Sequence, residues 1–314
     1  MKQIIYKTVF IICTTCFLLT GCWDAKDVDD QNIVLTVGID YKDGMYNFLT
    51  NIANFAKSSN EGPIKIALIR GSGDNFLTAR DTLNRVSDNQ IFLGSTRAVL
   101  FSEEMAKKGI EEYVSRMRGD FEYRKTLKLI TASNDLDEVF QIKPKNSIDI
   151  GYEIEQIINN MEDNGTTFET NAGKVIQHIA SNQCGYLLHS IGIEDDSIKV
   201  NGYSIFKESK KIGFIKAEDR EGVVYLLNSK EPRFGYTLHY NDIDISVHTV
   251  KRKGKEITHV YEENGGVTIS VELDMEGEIR YTSKPLSINE SIKKELEKQL
   301  NNMIKEDIVS AINK

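Results

Sequence analysis

The end of the chain constrains its fold most. Ile288, Ile292, Leu296, Leu300, Ile304, Ile308 and Ile312 recur every four residues. That spacing draws one apolar stripe along a helix running from about Ser287 to the C-terminus. Lys293, Glu297, Lys298 and Glu306 stand elsewhere on its circumference. Such a stripe needs an apolar partner. Two alternating runs lie just upstream. Ile243, Ile245 and Val247 alternate with Asp244, Ser246 and His248. Val267, Ile269, Val271 and Leu273 alternate with Thr268, Ser270, Glu272 and Asp274 after a turn at Asn264-Gly265-Gly266. Period-two alternation marks half-buried strands. Their apolar faces are expected to cover the stripe, giving a helix on an antiparallel sheet. The helix is expected to dock at least as far as Leu300.

Upstream, Ile33–Asp40 and Met45–Phe55 read as a hairpin around Asp43-Gly44. Ile64–Ile69 is a strand, and Asp74–Ser87 a helix capped by Asp74. Ala98–Phe101 is a strand leading into one helix from Ser102 to about Met117. Leu127–Thr131 and Leu187–Ile193 are strands around three helices, Leu136–Ile142, Ser147–Met161 and Ala172–Ala180. Glu194-Asp195-Asp196 reads as a boundary and Asn228–Pro232 as a second linker. Between them stand a hairpin, Lys199–Phe206 with Lys211–Ile215, and a short helix from Glu218 to Leu227. The expected domains are therefore 33–195, a small middle domain over 196–231, and a C-terminal sheet-plus-helix domain over 232–314.

The first residues set the compartment. Lys2 and Lys7 precede Val9–Leu19, an apolar run short of the roughly 20 residues needed to span a bilayer. Leu19-Thr20-Gly21-Cys22 follows at once. A basic start, a short apolar run and a small residue before the cut form a secretory signal peptide, here residues 1–21. The cysteine refines this to a lipobox: the Cys22 thiol takes a diacylglyceryl group and the Gly21–Cys22 bond is cleaved. Two acyl chains on one residue anchor stably. Residues 22–32, with four aspartates, then form a tether of at most about 35 Å. No later apolar run reaches spanning length, so the mature chain is expected on one side of the membrane.

Loss of Lys2 and Lys7 takes the formal charge from −8 to −10. With no basic stretch longer than Lys251-Arg252-Lys253, nucleic acid is excluded as a partner. Anionic headgroups would repel the domain, so membrane contact runs through the lipid. Cys13 and Cys16 leave with the signal peptide, and Cys184 remains as a lone thiol, expected inside the fold.

No catalytic constellation stands out. His178, His189, His239, His248 and His259 show no metal-ligand spacing, and Cys-x-x-Cys is absent. Gly71-Ser72-Gly73 lacks a third glycine and reads as a turn before a helix. His248 takes the polar face of its strand. Asp29-Asp30 and Asp195-Asp196 read as solvated charge. No catalytic residue, metal, cofactor or small-molecule ligand is therefore assigned.

Gly21-Cys22-Trp23-Asp24 followed by the Val37-Gly38-Ile39-Asp40 strand resembles the start of the Ger(x)C family. These are the C subunits of spore germination nutrient receptors. Ala106-Lys107-Lys108-Gly109-Ile110 and Phe121-Glu122-Tyr123-Arg124 resemble further blocks of its N-terminal domain. Gly202–Lys207, Ile212-Gly213-Phe214 and Arg220-Glu221-Gly222 resemble its middle domain. The resemblance implies an α+β fold of three mixed α/β domains, the last an antiparallel sheet packed against a long C-terminal helix. It implies a non-enzymatic lipoprotein on the outer face of the spore inner membrane, assembled with two integral membrane subunits. Cys22 is the one residue whose role it carries over. Asp27-Val28 stands where the family usually has Glu-Leu, and family members usually continue past the final helix, so the resemblance implies that Ile308 to Lys314 fray. The rival reading is a solute-binding lipoprotein of an importer, which would need two α/β lobes.

Overall fold

The computed structural model describes residues 3–8, 30–53, 64–119, 122–182, 184–227, 231–252, 257–263 and 266–314. The apolar run expected as a strand at Ile33–Asp40 lies in β1 (Gln31–Lys42), which is buried along most of its length. It turns back into β2 (Met45–Ala53) through Asp43 and Gly44. Both turn residues have left-handed φ, 52° and 81°, the conformation that Asp-Gly hairpins need. β3 (Ile66–Gly73) pairs with β2. On the other side, β1 runs parallel to β4 (Gln90–Phe92) and β5 (Ala98–Phe101). β6 (Lys128–Ala132) and β7 (Tyr186–Glu194) continue in parallel. β8 (Ser197–Lys207) and β9 (Lys210–Lys216) close the sheet antiparallel. The order is β3-β2-β1-β5-β6-β7-β8-β9, with β4 beside β1.

Helices cover both faces because side chains alternate along each strand. Val99 and Phe101 enter one core, with α1 (Phe76–Val86), α2 (Glu103–Lys108), α3 (Glu111–Gly119) and α6 (Ala172–Ser181). Ala98 and Leu100 enter the other, with α4 (Leu136–Gln141) and α5 (Ile150–Asp163). This is one mixed sheet between two helical layers, without the two lobes of a solute-binding protein.

The single helix expected from Ser102 to Met117 is two. Gly109 takes φ 125°, outside helical space, and the Ile110 N–H turns away to donate to Ser209 O at 2.9 Å. The cap of α1 is Asn75, not Asp74: Asn75 and Thr78 bond reciprocally in a capping box. Gly71 and Gly73 belong to β3 rather than to a turn. A Cβ on Gly71 would collide with the backbone of α1, so the glycine lets that helix lie directly on the strand. The boundary expected at Glu194-Asp195-Asp196 is a two-residue turn inside the sheet. Asp195 and Asp196 have φ 49° and 52°, and β7 and β8 pair up to Glu194↔Ser197. Residues 197–216 therefore extend the N-terminal sheet.

After α7 (Arg220–Leu227), β10 (Gly235–Tyr240) and β11 (Ile243–Arg252) form an antiparallel sheet. β12 (Ile257–Glu263) and β13 (Gly266–Glu272) make a separate two-stranded ribbon. β14 (Met275–Thr282) returns to pair with β11. The final helix, α8 (Glu290–Ile312), begins at Asn289, whose side chain accepts from Ser291 N and Ile292 N, both at 3.0 Å. Ile292, Leu296 and Ile304 pack on Leu238, Ile245 and Val247. The α+β architecture, with its last sheet against the long helix, is the one expected.

Two details of that packing differ from expectation. A four-residue repeat turns about 40° further round the helix at each step, so a long stripe cannot keep facing one sheet. Ile312 is exposed accordingly, and Ala311 is buried in its place; Ile288, also exposed, precedes the Asn289 cap and is not on the helix. The last turns do not hang free either. They lie against α7, and Ser310 Oγ donates to Asp219, the residue just before that helix, at 2.6 Å. The second difference is the partner surface. Val267, Ile269 and Val271 do not cover α8, because they belong to the ribbon rather than to the sheet beneath the helix.

Candidate functional site

Gly21 and Cys22, the residues expected to carry processing and lipid, lie outside the described residues. The histidines do not converge. His239 Nδ1 meets Asp244 at 2.8 Å on the surface, and His248 is exposed as its strand face requires. Cys184 is exposed, not buried: α6 ends at Asn182 in left-handed backbone, and the thiol lies 3.5 Å from His178 Nδ1. Among the described residues no group of three His, Cys, Asp or Glu is placed to hold a metal ion.

Two clusters of buried polar groups hold helices and connections to the large sheet. Asp149 caps α5. Its carboxylate accepts from Gly151 N at 2.8 Å, from Asn51 Nδ2 at 2.6 Å and from the Thr36 hydroxyl. It thereby ties the helix start to β1 and β2. In the second cluster Lys128 Nζ bonds both oxygens of Glu162, at 2.8 and 2.9 Å, and Thr170 O at 3.3 Å. Beside it, His189 Nε2 lies 2.8 Å from Thr167 Oγ1, and Phe168 stacks on the imidazole. Burial, helped by the Lys128 charge, lowers the His189 pKa to about 3, so the ring is neutral across the physiological range. Complete burial also denies it a substrate. These residues fasten the 164–171 connection onto β6, β7 and β8. Nothing in the spacing of the sequence singles out His189; its role appears only when β7 is seen as an interior strand.

The surface offers more than the interior. Along β13, Val267, Ile269 and Val271 fall on one face, and Val260 stands opposite Ile269 on β12. Val267, Ile269 and Val260 are 73%, 63% and 65% exposed. Burying a side chain of this class contributes about 1.5–3 kcal/mol, which this ribbon forgoes in the isolated chain. Among the described residues no side chain packs over this apolar face, which makes it the candidate interaction surface. The ribbon is a sheet of its own because β14, not β13, completes the pairing with β11. No described helix is long and apolar enough to cross a membrane.

Comparison with known proteins gives this arrangement a family. Residues 24–189 match the model of the spore germination protein N-terminal domain. Residues 201–314 match that of the spore germination B3/GerAC-like C-terminal region. The chain is 21% identical over its whole length to the putative spore germination protein YfkR of Bacillus subtilis (strain 168), covering 85% of that protein. It is 22% identical to spore germination protein KC of the same organism, over 92% of this chain and 80% of the relative. The crystal structure of the GerBC protein superposes with a TM-score of 0.52 at 16% identity, over 88% of this chain and 80% of that one, and so shares its fold. With both halves matched in order, the chain belongs to the Ger(x)C family of spore germination proteins.

Proposed function

We propose that this chain is the lipid-anchored C subunit of a spore germination nutrient receptor, acting in assembly and signalling rather than as an enzyme. The observation that carries the proposal is the ordered match of both halves of the chain to the germination family. The anchor is diacylglycerol on Cys22, exposed by cleavage after Gly21, on the outer face of the spore inner membrane. The Leu19-Thr20-Gly21-Cys22 sequence supports this. β1 starts at Gln31, so the tether joins the fold at the end of the sheet where β1 and β4 begin. That end then lies nearest the membrane. The acidic surface gives no attraction to anionic lipid, which leaves the acyl chains as the attachment.

Two integral membrane subunits are the partners in this reading, and the apolar face of the β12–β13 ribbon is the surface that meets them. Mass spectrometry of the mature N-terminus from native membranes tests the anchor. Diacylglyceryl on Cys22 with Met1–Gly21 absent is the expected result, and unmodified soluble protein would contradict it.

A further inference from the structure

Beneath α1 and α3 the first core is incompletely filled. A cavity of about 50 Å³ lies against β1 and β2, with Val37, Phe48 and Leu83 among its lining side chains. A water needs roughly 10–15 Å³ of such space, and an apolar cavity of about 150 Å³ takes up benzene. The volume here therefore suits a ligand fragment of only a few heavy atoms.

Polar side chains also line it. Thr50 faces Val37 across the β1–β2 ladder and is 1% exposed, yet its hydroxyl has no hydrogen-bond partner among the described residues. A buried hydroxyl without a partner is costly, and one lining a cavity points to an occupant. Arg80 on α1 and Arg116 on α3 also line the space. Among the described residues neither guanidinium has a carboxylate partner. Burial pushes the Tyr113 hydroxyl, which also lines the space, well above the usual phenol range, and the Arg80 and Arg116 charges act against that shift. No acidic residue lines the cavity.

We propose that this cavity binds a short aliphatic carboxylate, its hydrocarbon on Val37, Phe48 and Leu83 and its oxygens shared by Thr50, Arg80 and Arg116. A guanidinium fork matches a planar carboxylate, and a hydroxyl donor satisfies a further lone pair. The largely apolar lining selects a monoanion with a hydrocarbon tail over a dianion such as sulfate. An ammonium group would meet two cations and no acid. The site is separate from the ribbon and does not depend on the assembly role proposed above.

Sodium propionate, whose two-carbon tail matches the volume, tests it, titrated into the full-length chain in detergent solution and followed through the methyl signals of Val37 and Leu83 by NMR. Saturable shifts at millimolar concentration are expected. Arg80→Gln, at an exposed position, should weaken the apparent affinity about tenfold, and Thr50→Val should weaken it several-fold. 1-Propanol and sodium sulfate are the controls on the wild-type chain, and both should act at least tenfold more weakly. An absent or non-saturating response to propionate would overturn the proposal. An equal response to propanol would make the space a packing void, and an equal response to sulfate would make it an unselective anion site; either overturns it.

Discussion

The backbone carbonyl of Asp307 occupies the space that a side chain on Gly222 would need. This contact brings α7 and α8 together at their backbones and joins the end of the C-terminal helix to the segment that follows the large sheet. Asp307 also accepts from Tyr236 Oη at 2.7 Å, so β10 is tied into the same junction. Gly222→Ala must separate the helices. Overpacking of this kind costs about 1–3 kcal/mol, and the melting temperature should fall accordingly. An unchanged melting temperature would mean that the crossing is not close.

Leu296 and Val267 are apolar residues of similar type with opposite expected consequences. Leu296 is 5% exposed between α8 and the sheet, so Leu296→Asp puts a charge into a core and should cost several kcal/mol in chemical unfolding. Val267 is 73% exposed on the ribbon. Val267→Asp should leave stability within about 0.5 kcal/mol of wild type. It should nevertheless reduce co-purification with the membrane subunits. Destabilisation by Val267→Asp, or undiminished co-purification, would remove the ribbon as the assembly surface.

His189 sets a pH dependence whose sign follows from its burial. Its folded pKa, about 3, lies below the unfolded value of 6.5. Between these values the unfolded chain binds a proton that the folded chain does not. Stability from this group is therefore full above about pH 6.5 and declines as pH falls, by at most about 1.4 kcal/mol per pH unit. Urea unfolding at pH 7 and pH 5 should show a loss that His189→Gln reduces. An identical pH slope in the variant would exclude His189 as its source.

Much of this was legible in the sequence for identifiable reasons. Asp43-Gly44 marked the first hairpin because its turn demands left-handed backbone. Leu296 was expected to be buried because it sits mid-stripe, where the helix has not yet rotated away from the sheet. The break at Gly109 was missed: the apolar spacing continues across it, and the Ser209 carbonyl that captures the Ile110 N–H is distant in sequence. Asp195-Asp196 suggested a linker because charge pairs are common there, but the same residues tolerate left-handed turns. Val267, Ile269 and Val271 alternate as a half-buried strand should, and alternation cannot tell whether the apolar face meets a helix or a partner. The cavity under α1 and α3 had no sequence signal, since Thr50, Arg80 and Arg116 come from three separate elements.

Nutrient-triggered germination of spores lacking this chain tests the receptor assignment most directly. Loss of response to particular nutrients is expected, with germination by a receptor-independent trigger intact, and Cys22→Ala should weaken the same responses through mislocalisation. A normal response to every nutrient in a strain lacking this chain and its paralogues would contradict it.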